Sequence, residues 1–131
     1  MTKVRGYIFS RPFMGERVPQ NIQNLVIRDF CEKNNLLYNL SATEYLMPKS
    51  YKVLDQVINE LKKLDGIIAY SIFQLPIDNK KRYKVLNQII KKNKKFYFAL
   101  ENMKLVNKKD LEKIENIWLL KKTLPDCLKK I

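Results

Sequence analysis

Apolar and polar positions alternate along this chain in two rhythms that take turns. Residues 4–9 form a short apolar run of the kind that makes a buried strand. From residue 20 the period lengthens: Ile22, Leu25, Val26 and Phe30 fall on one face of a helix over 20–34. Residues 36–40 read as a second strand that ends in the polar stretch Ser41-Ala42-Thr43-Glu44. In residues 48–64, Leu54, Val57, Ile58, Leu61 and Leu64 recur at helical spacing, with Pro48 suited to a first turn. Asp65-Gly66 stops that helix, and 67–72 is the most apolar strand of all. Asp78 is placed to cap a helix running to about residue 92, with Tyr83, Leu86 and Ile90 inward. Residues 95–100 predict a fourth strand. Asn107 or Asp110 opens a last helix carrying Leu111, Ile114, Ile117 and Trp118.

Strand and helix thus alternate four times, and the economical packing is an α/β domain: a parallel, flavodoxin-like sheet of four to five strands with helices on both faces. We expect one domain over residues 1–123, with 124–131 as a C-terminal tail. In such sheets ligands sit beyond the carboxyl ends of the strands, where the winding direction reverses between the first and third strands. The loops at that edge are 10–19, 41–47 and 71–78, and they hold most of the unusual polar residues.

Charge alters this picture less than its size suggests. The chain carries a net +13, but residues 1–78 contribute 10 basic and 8 acidic side chains, and 79–131 contribute 16 and 5. The excess is almost all lysine, amid many Asn and Ile, a pattern expected of AT-rich coding as much as of a polyanion surface. Nucleic acid is therefore the less favoured partner. Against 21 lysines stand five arginines, four of them within residues 5–28. Where plain charge suffices lysine has taken over, so Arg11, Arg17 and Arg28 are candidates for sites that need a planar, bidentate fork. Arg5 and Arg82 are less telling.

Candidate chemistry is narrow. The chain has no histidine, which removes the usual neutral-pH base and the commonest metal ligand, and its three glycines spell no phosphate-binding loop. Cys31 and Cys127 have no metal or disulfide spacing and predict reduced thiols in a cytoplasmic protein. The N-terminus does not read as a signal peptide, and no apolar run is long enough to span a membrane. We expect no metal and no cofactor. Arg11 and Arg17 can clamp a phosphate or carboxylate, with Ser10, Gln20, Gln23, Tyr45 and Ser71 supplying polar contacts. Glu44 or Glu16 is the general base within reach, and Glu44 with Ser10 forms the catalytic expectation. The alternative is structural: Arg17 and Arg28 pair with Glu16 and Glu32, and Glu44 caps a turn. Among the aromatics Phe9 belongs to the core, while Phe13 and Tyr45 are open to either role.

Two resemblances attach to these residues. GYIFSRPF, VPQNIQN, VIRDFCEK, LSATEY, GIIAYSIFQLP, ALENMKL and IENIWLL, spread over residues 6–120, resemble the small bacterial family of sporadic carbohydrate cluster proteins. That resemblance implies a place in surface polysaccharide biosynthesis, though the family name records gene context and assigns no reaction. More distantly, the order of a GY strand, polar loop, Gln-bearing helix, SATEYLMPKSYKVLDQ segment and apolar strand is similar to the catalytic domain of serine recombinases. It implies a resolvase-like fold without the active site. Where that family has an arginine and, two residues on, a serine nucleophile, this chain has Phe9 and Arg11. Where it has an Asp-Arg pair and a further arginine, here stand Phe73, Gln74 and Ile77.

The expectation is an accessory enzyme or sugar-binding protein taking a small anionic sugar or nucleotide sugar, with homo-oligomers possible. Its alternative is a resolvase-fold module that binds nucleic acid or protein without recombinase activity.

Overall fold

The computed structural model describes residues 2–13, 17–44 and 51–129, with side chains through residue 121. Five strands form one sheet in the order β2-β1-β3-β4-β5. They are β1 (Thr2–Phe9), β2 (Leu36–Glu44), β3 (Gly66–Ala69), β4 (Lys95–Phe98) and β5 (Met103–Leu105). The first four run parallel and β5 returns antiparallel to β4. Helix α1 (Gln20–Lys33) follows β1, α2 (Lys52–Asn59) follows β2, α3 (Asn79–Lys91) follows β3, and α4 (Lys108–Lys129) closes the chain.

Two cores flank the sheet. On one face Ile27 and Cys31 of α1 pack on Val4, Ile8, Ile68 and Tyr97. On the other, α2, α3 and α4 bring Leu54, Val57, Ile58, Val85, Leu86, Ile89, Ile114 and Trp118 onto Tyr7, Phe9, Ile67, Phe96 and Phe98. The alternate residues of β1 divide between the two faces as strand geometry requires. Reversal of the winding direction after β2 leaves the crevice between β1 and β3, as the strand order demands.

Several details differ from the pattern read in the sequence. Helix α1 buries Gln23, Ile27 and Cys31, while Ile22 and Leu25 are exposed. Tyr83 of α3 is exposed rather than inward, and residues 70–72 lie beyond the end of β3 at Ala69. The parallel sheet gains an antiparallel hairpin: residues 99–100, expected within the fourth strand, instead begin a turn that uses Asn102 at φ 53 and leads into β5. Residues 41–44, expected as loop, are strand. They follow a bulge, because Arg5 pairs with Asn39 but Tyr7 with Ala42, so Leu40 and Ser41 together face Gly6. A β-carbon on Gly6 would overlap the Ser41 hydroxyl and lie 3.0 Å from the Ser41 Cα. The hydroxyl is itself held by a 2.7 Å bond to Asn24 Oδ1, so it has no room to withdraw. Helix α4 continues through residues 124–129.

The helix starts follow local chemistry. Asp78 Oδ2 accepts the Lys81 N–H at 3.1 Å, the N-cap expected from the sequence. Asn107 and Asp110 act together on α4: Asn107 Oδ1 accepts Asp110 N–H, and Asp110 Oδ2 accepts the N–H groups of Val106 and Asn107.

Candidate functional site

At the carboxyl edge of β1, backbone pairing with β2 continues past the strand: Ser10 donates both its N–H (3.0 Å) and its hydroxyl (2.9 Å) to the Glu44 carbonyl. One residue on, Arg11 turns inward and is only 7% exposed. Its guanidinium carbon lies 4.5 Å from the Phe9 ring centre and 4.9 Å from that of Tyr51, so the cation rests on two aromatic faces. Lys81 Nζ reaches the same Tyr51 ring at 5.0 Å.

Glu44 is 1% exposed. Its carboxylate accepts the Tyr7 hydroxyl at 2.8 Å and the N–H groups of Val53 and Leu54 at 3.2 and 3.1 Å. A buried carboxylate at the start of α2 thus satisfies helix donors that would otherwise be orphaned. Burial, and then the negative charge of Glu44, push the Tyr7 phenol well above its ordinary range, against an opposing pull from Arg11.

Gln23 is fully buried and spans the crevice. Its carbonyl accepts Phe9 N–H (3.0 Å) and the Gln74 amide (2.7 Å), while its own amide donates to the carbonyls of Phe9 and Val18. Gln74 in turn accepts the N–H groups of Tyr70 and Ser71 through Oε1. This side-chain bridge ties the end of β1 to the loop after β3. Ser71 donates its hydroxyl to Glu101 at 2.6 Å and caps the 3-10 turn Ile72–Gln74. Glu101 also accepts Ile72 N–H at 2.9 Å.

Arg82 organises the rest of that loop. Nε and an Nη bond both carboxylate oxygens of Glu115 at 3.0 and 2.6 Å, and the other Nη donates to the carbonyls of Pro76 and Ile77. The second of these bonds fixes the backbone of a cleft of about 340 Å³ lined by Tyr51, Pro76, Ile77, Asp78 and Lys81. The guanidinium lies 4.4 Å over Trp118, whose indole N–H donates to the Ile72 carbonyl.

The structure therefore separates the residues singled out in the sequence. Ser10, Arg11, Gln23, Glu44 and Ser71 converge on the β1–β3 crevice, each already engaged with the protein. Arg17 and Gln20 are exposed and line none of the clefts described. Arg28 lies over Tyr38, with its guanidinium carbon 5.6 Å from the ring centre. Phe13 packs edge-on against Phe9 and Tyr70. Tyr45 and Glu16 lie outside the described residues. The sequence reading missed Tyr51, Lys81 and Glu101, and it set aside Arg82. Lys81 sits three residues after the Asp78 cap, the only sequence signal that places it beside the cleft at Pro76–Asp78. Among the described residues no cluster of His, Cys, Asp or Glu is arranged to hold a metal ion, and no helix is long and apolar enough to cross a membrane.

The fold appears in a known domain. The N-terminal catalytic domain of TP901-1 integrase superposes with a TM-score of 0.63, covering 96% of this chain and 97% of that one. The likeness is one of fold. Sequence identity is 11%, so the match supports the resolvase-like architecture and carries no residue roles with it. No family model and no curated protein matches the chain, and the resemblance to sporadic carbohydrate cluster proteins finds no support there.

Proposed function

We propose that this resolvase-fold protein binds a small phosphorylated or acidic sugar in the cleft between Tyr51 and the loop from β3 to α3. The observation that carries the reading is the cleft itself, about 340 Å³ of largely apolar wall with Tyr51 and Lys81 at its mouth. That volume suits one sugar ring, Tyr51 offers an apolar edge, and Lys81 supplies the charge an anion requires. Arg11 lies behind Tyr51 and orients the ring; it takes a positioning role in place of the direct clamp expected of it. Glu44 is occupied by Tyr7 and the α2 backbone, which favours binding over proton transfer. The link to surface polysaccharide synthesis rests on the sequence resemblance alone.

Glucose 1-phosphate at millimolar concentration should raise the melting temperature, and Lys81→Gln should remove that rise. Neutral glucose should leave it unchanged. A shift that survives Lys81→Gln, or no shift from any sugar phosphate, rules the reading out.

A second reading follows from the lysine excess after residue 78 and the integrase-like fold: a nucleic-acid-binding module. It requires DNA affinity that falls steeply with salt. Phe9 and Arg11, at the positions the recombinase resemblance gives to arginine and the nucleophile, favour a module without strand transfer.

A further inference from the structure

A second concavity runs from the sugar cleft along the seam between α2 and α3. This groove of about 560 Å³ is lined by Lys80, Lys81, Lys84 and Lys92, opposed by Asp55 and Asp78. Lys81 and Asp78 line the cleft as well, so cleft and groove adjoin at these two residues, and together they are called the trough. We infer that the trough recognises a diphosphate, its first phosphate at Lys81 and its second at Lys84, with the attached ring in the Tyr51 end. The ligand class is then a nucleoside-diphosphate sugar or a comparable ring-bearing diphosphate. This rests on the reading of the cleft as the sugar site.

Three observations support the inference. Lys81, Lys84 and Gln88 recur at helical spacing, so they form one stripe along α3 that leads to Lys92 at its C-cap. Lys81 and Lys84 are about 4.5 Å apart along the helix axis, and their flexible stems can bring both ammonium groups to adjacent phosphates. None of the four lysines forms an ion pair: the salt bridges among the described residues are Arg5–Glu60, Lys33–Asp29 and Arg82–Glu115. One carboxylate oxygen of Asp78 is held by the Lys81 backbone N–H at the start of α3. Four lysines against two aspartates leave the lining net positive. The polar character of the groove, beside an apolar cleft, fits a ligand with one charged end and one ring end.

Titration calorimetry with inorganic phosphate, pyrophosphate, glucose 1-phosphate and UDP-glucose tests this on the intact chain. Pyrophosphate should bind about tenfold more tightly than phosphate, the margin of one added charge-assisted contact. Lys84→Gln should erase that margin, and Lys62→Gln, an exposed lysine outside both concavities, should keep it. Unchanged Trp118 emission would show that each variant is folded. Equal affinity for phosphate and pyrophosphate, or a margin that survives Lys84→Gln, overturns the inference while leaving the cleft reading intact if glucose 1-phosphate still depends on Lys81. Loss of glucose 1-phosphate binding in the wild type sinks the cleft reading first. A single-stranded oligonucleotide that binds through Lys84 while UDP-glucose does not would also overturn it, making the groove a nucleic-acid track.

Discussion

Replacing Arg82 by alanine removes a cation that is 1% exposed and whose hydrogen bonds reach four other residues. The loss leaves the Pro76 carbonyl buried without that donor and strips Glu115 of its bidentate partner. It also uncovers the face of Trp118. Breaking a buried pair from one side costs about 3–5 kcal/mol. The Glu115 side chain keeps 25% exposure and can recover some hydration, so the lower end, about 3 kcal/mol, is expected. For a domain of this length that corresponds to a melting-temperature drop of about 11 °C. Arg82→Lys keeps the charge but loses the planar fork and should cost about 1–2 kcal/mol. Urea denaturation followed by far-UV circular dichroism measures both; Trp118 emission alone would confound the readout, since Arg82 touches the indole. A loss under about 1 kcal/mol for Arg82→Ala, or a lysine variant as stable as the wild type, would refute the assignment of this residue as the clamp of the β3–α3 loop.

Two further substitutions probe the sheet and its buried phenol. Gly6→Ala should destabilise by about 1–3 kcal/mol through overpacking against the bulge at Ser41, and Ser41→Ala in the same chain should restore only part of it because the Ser41 Cα remains in the way; a neutral Gly6→Ala in urea melts would show that the bulge yields. Tyr7 keeps its proton in the folded state at a pH where the unfolded chain has lost it, since its folded value is raised. Its contribution is therefore complete below the ordinary tyrosine value of about 10 and is lost as pH climbs above that. Urea midpoints between about pH 9 and 11 should fall more steeply for the wild type than for Tyr7→Phe. Parallel slopes would contradict the shift.

Much of the architecture was legible because burial repeats. Val4 and Ile8 against Tyr7 and Phe9, or Leu54, Val57, Ile58 and Leu61, announce their faces through spacing alone. The hairpin strand β5 gave no such signal: three residues with exposed Lys104 in the middle are too few to show a period. Residues 41–44 looked like loop because β2 is an edge strand, half solvated, whose bulge breaks the alternation. The arginine argument looked to residues 5–28 and gave Arg82 little weight. Arg82 uses its planar fork on both carboxylate oxygens of Glu115, 33 positions away, a separation at which sequence carries no geometric constraint.

The sequence by itself determined the alternation of strand and helix, the two apolar faces of β1 and the crevice to which its polar loops lead. These depend on neighbours within a turn or a strand repeat. Tertiary structure alone decided which polar groups are engaged within the fold. Gln23, Glu44 and Ser71 are consumed by Phe9, Gln74, Tyr7, the α2 backbone and Glu101, whereas Lys81 reaches the cleft mouth. Whether a polar side chain is spent on the fold or kept for a ligand depends on distances between distant segments, and those exist only once the sheet has closed over its helices.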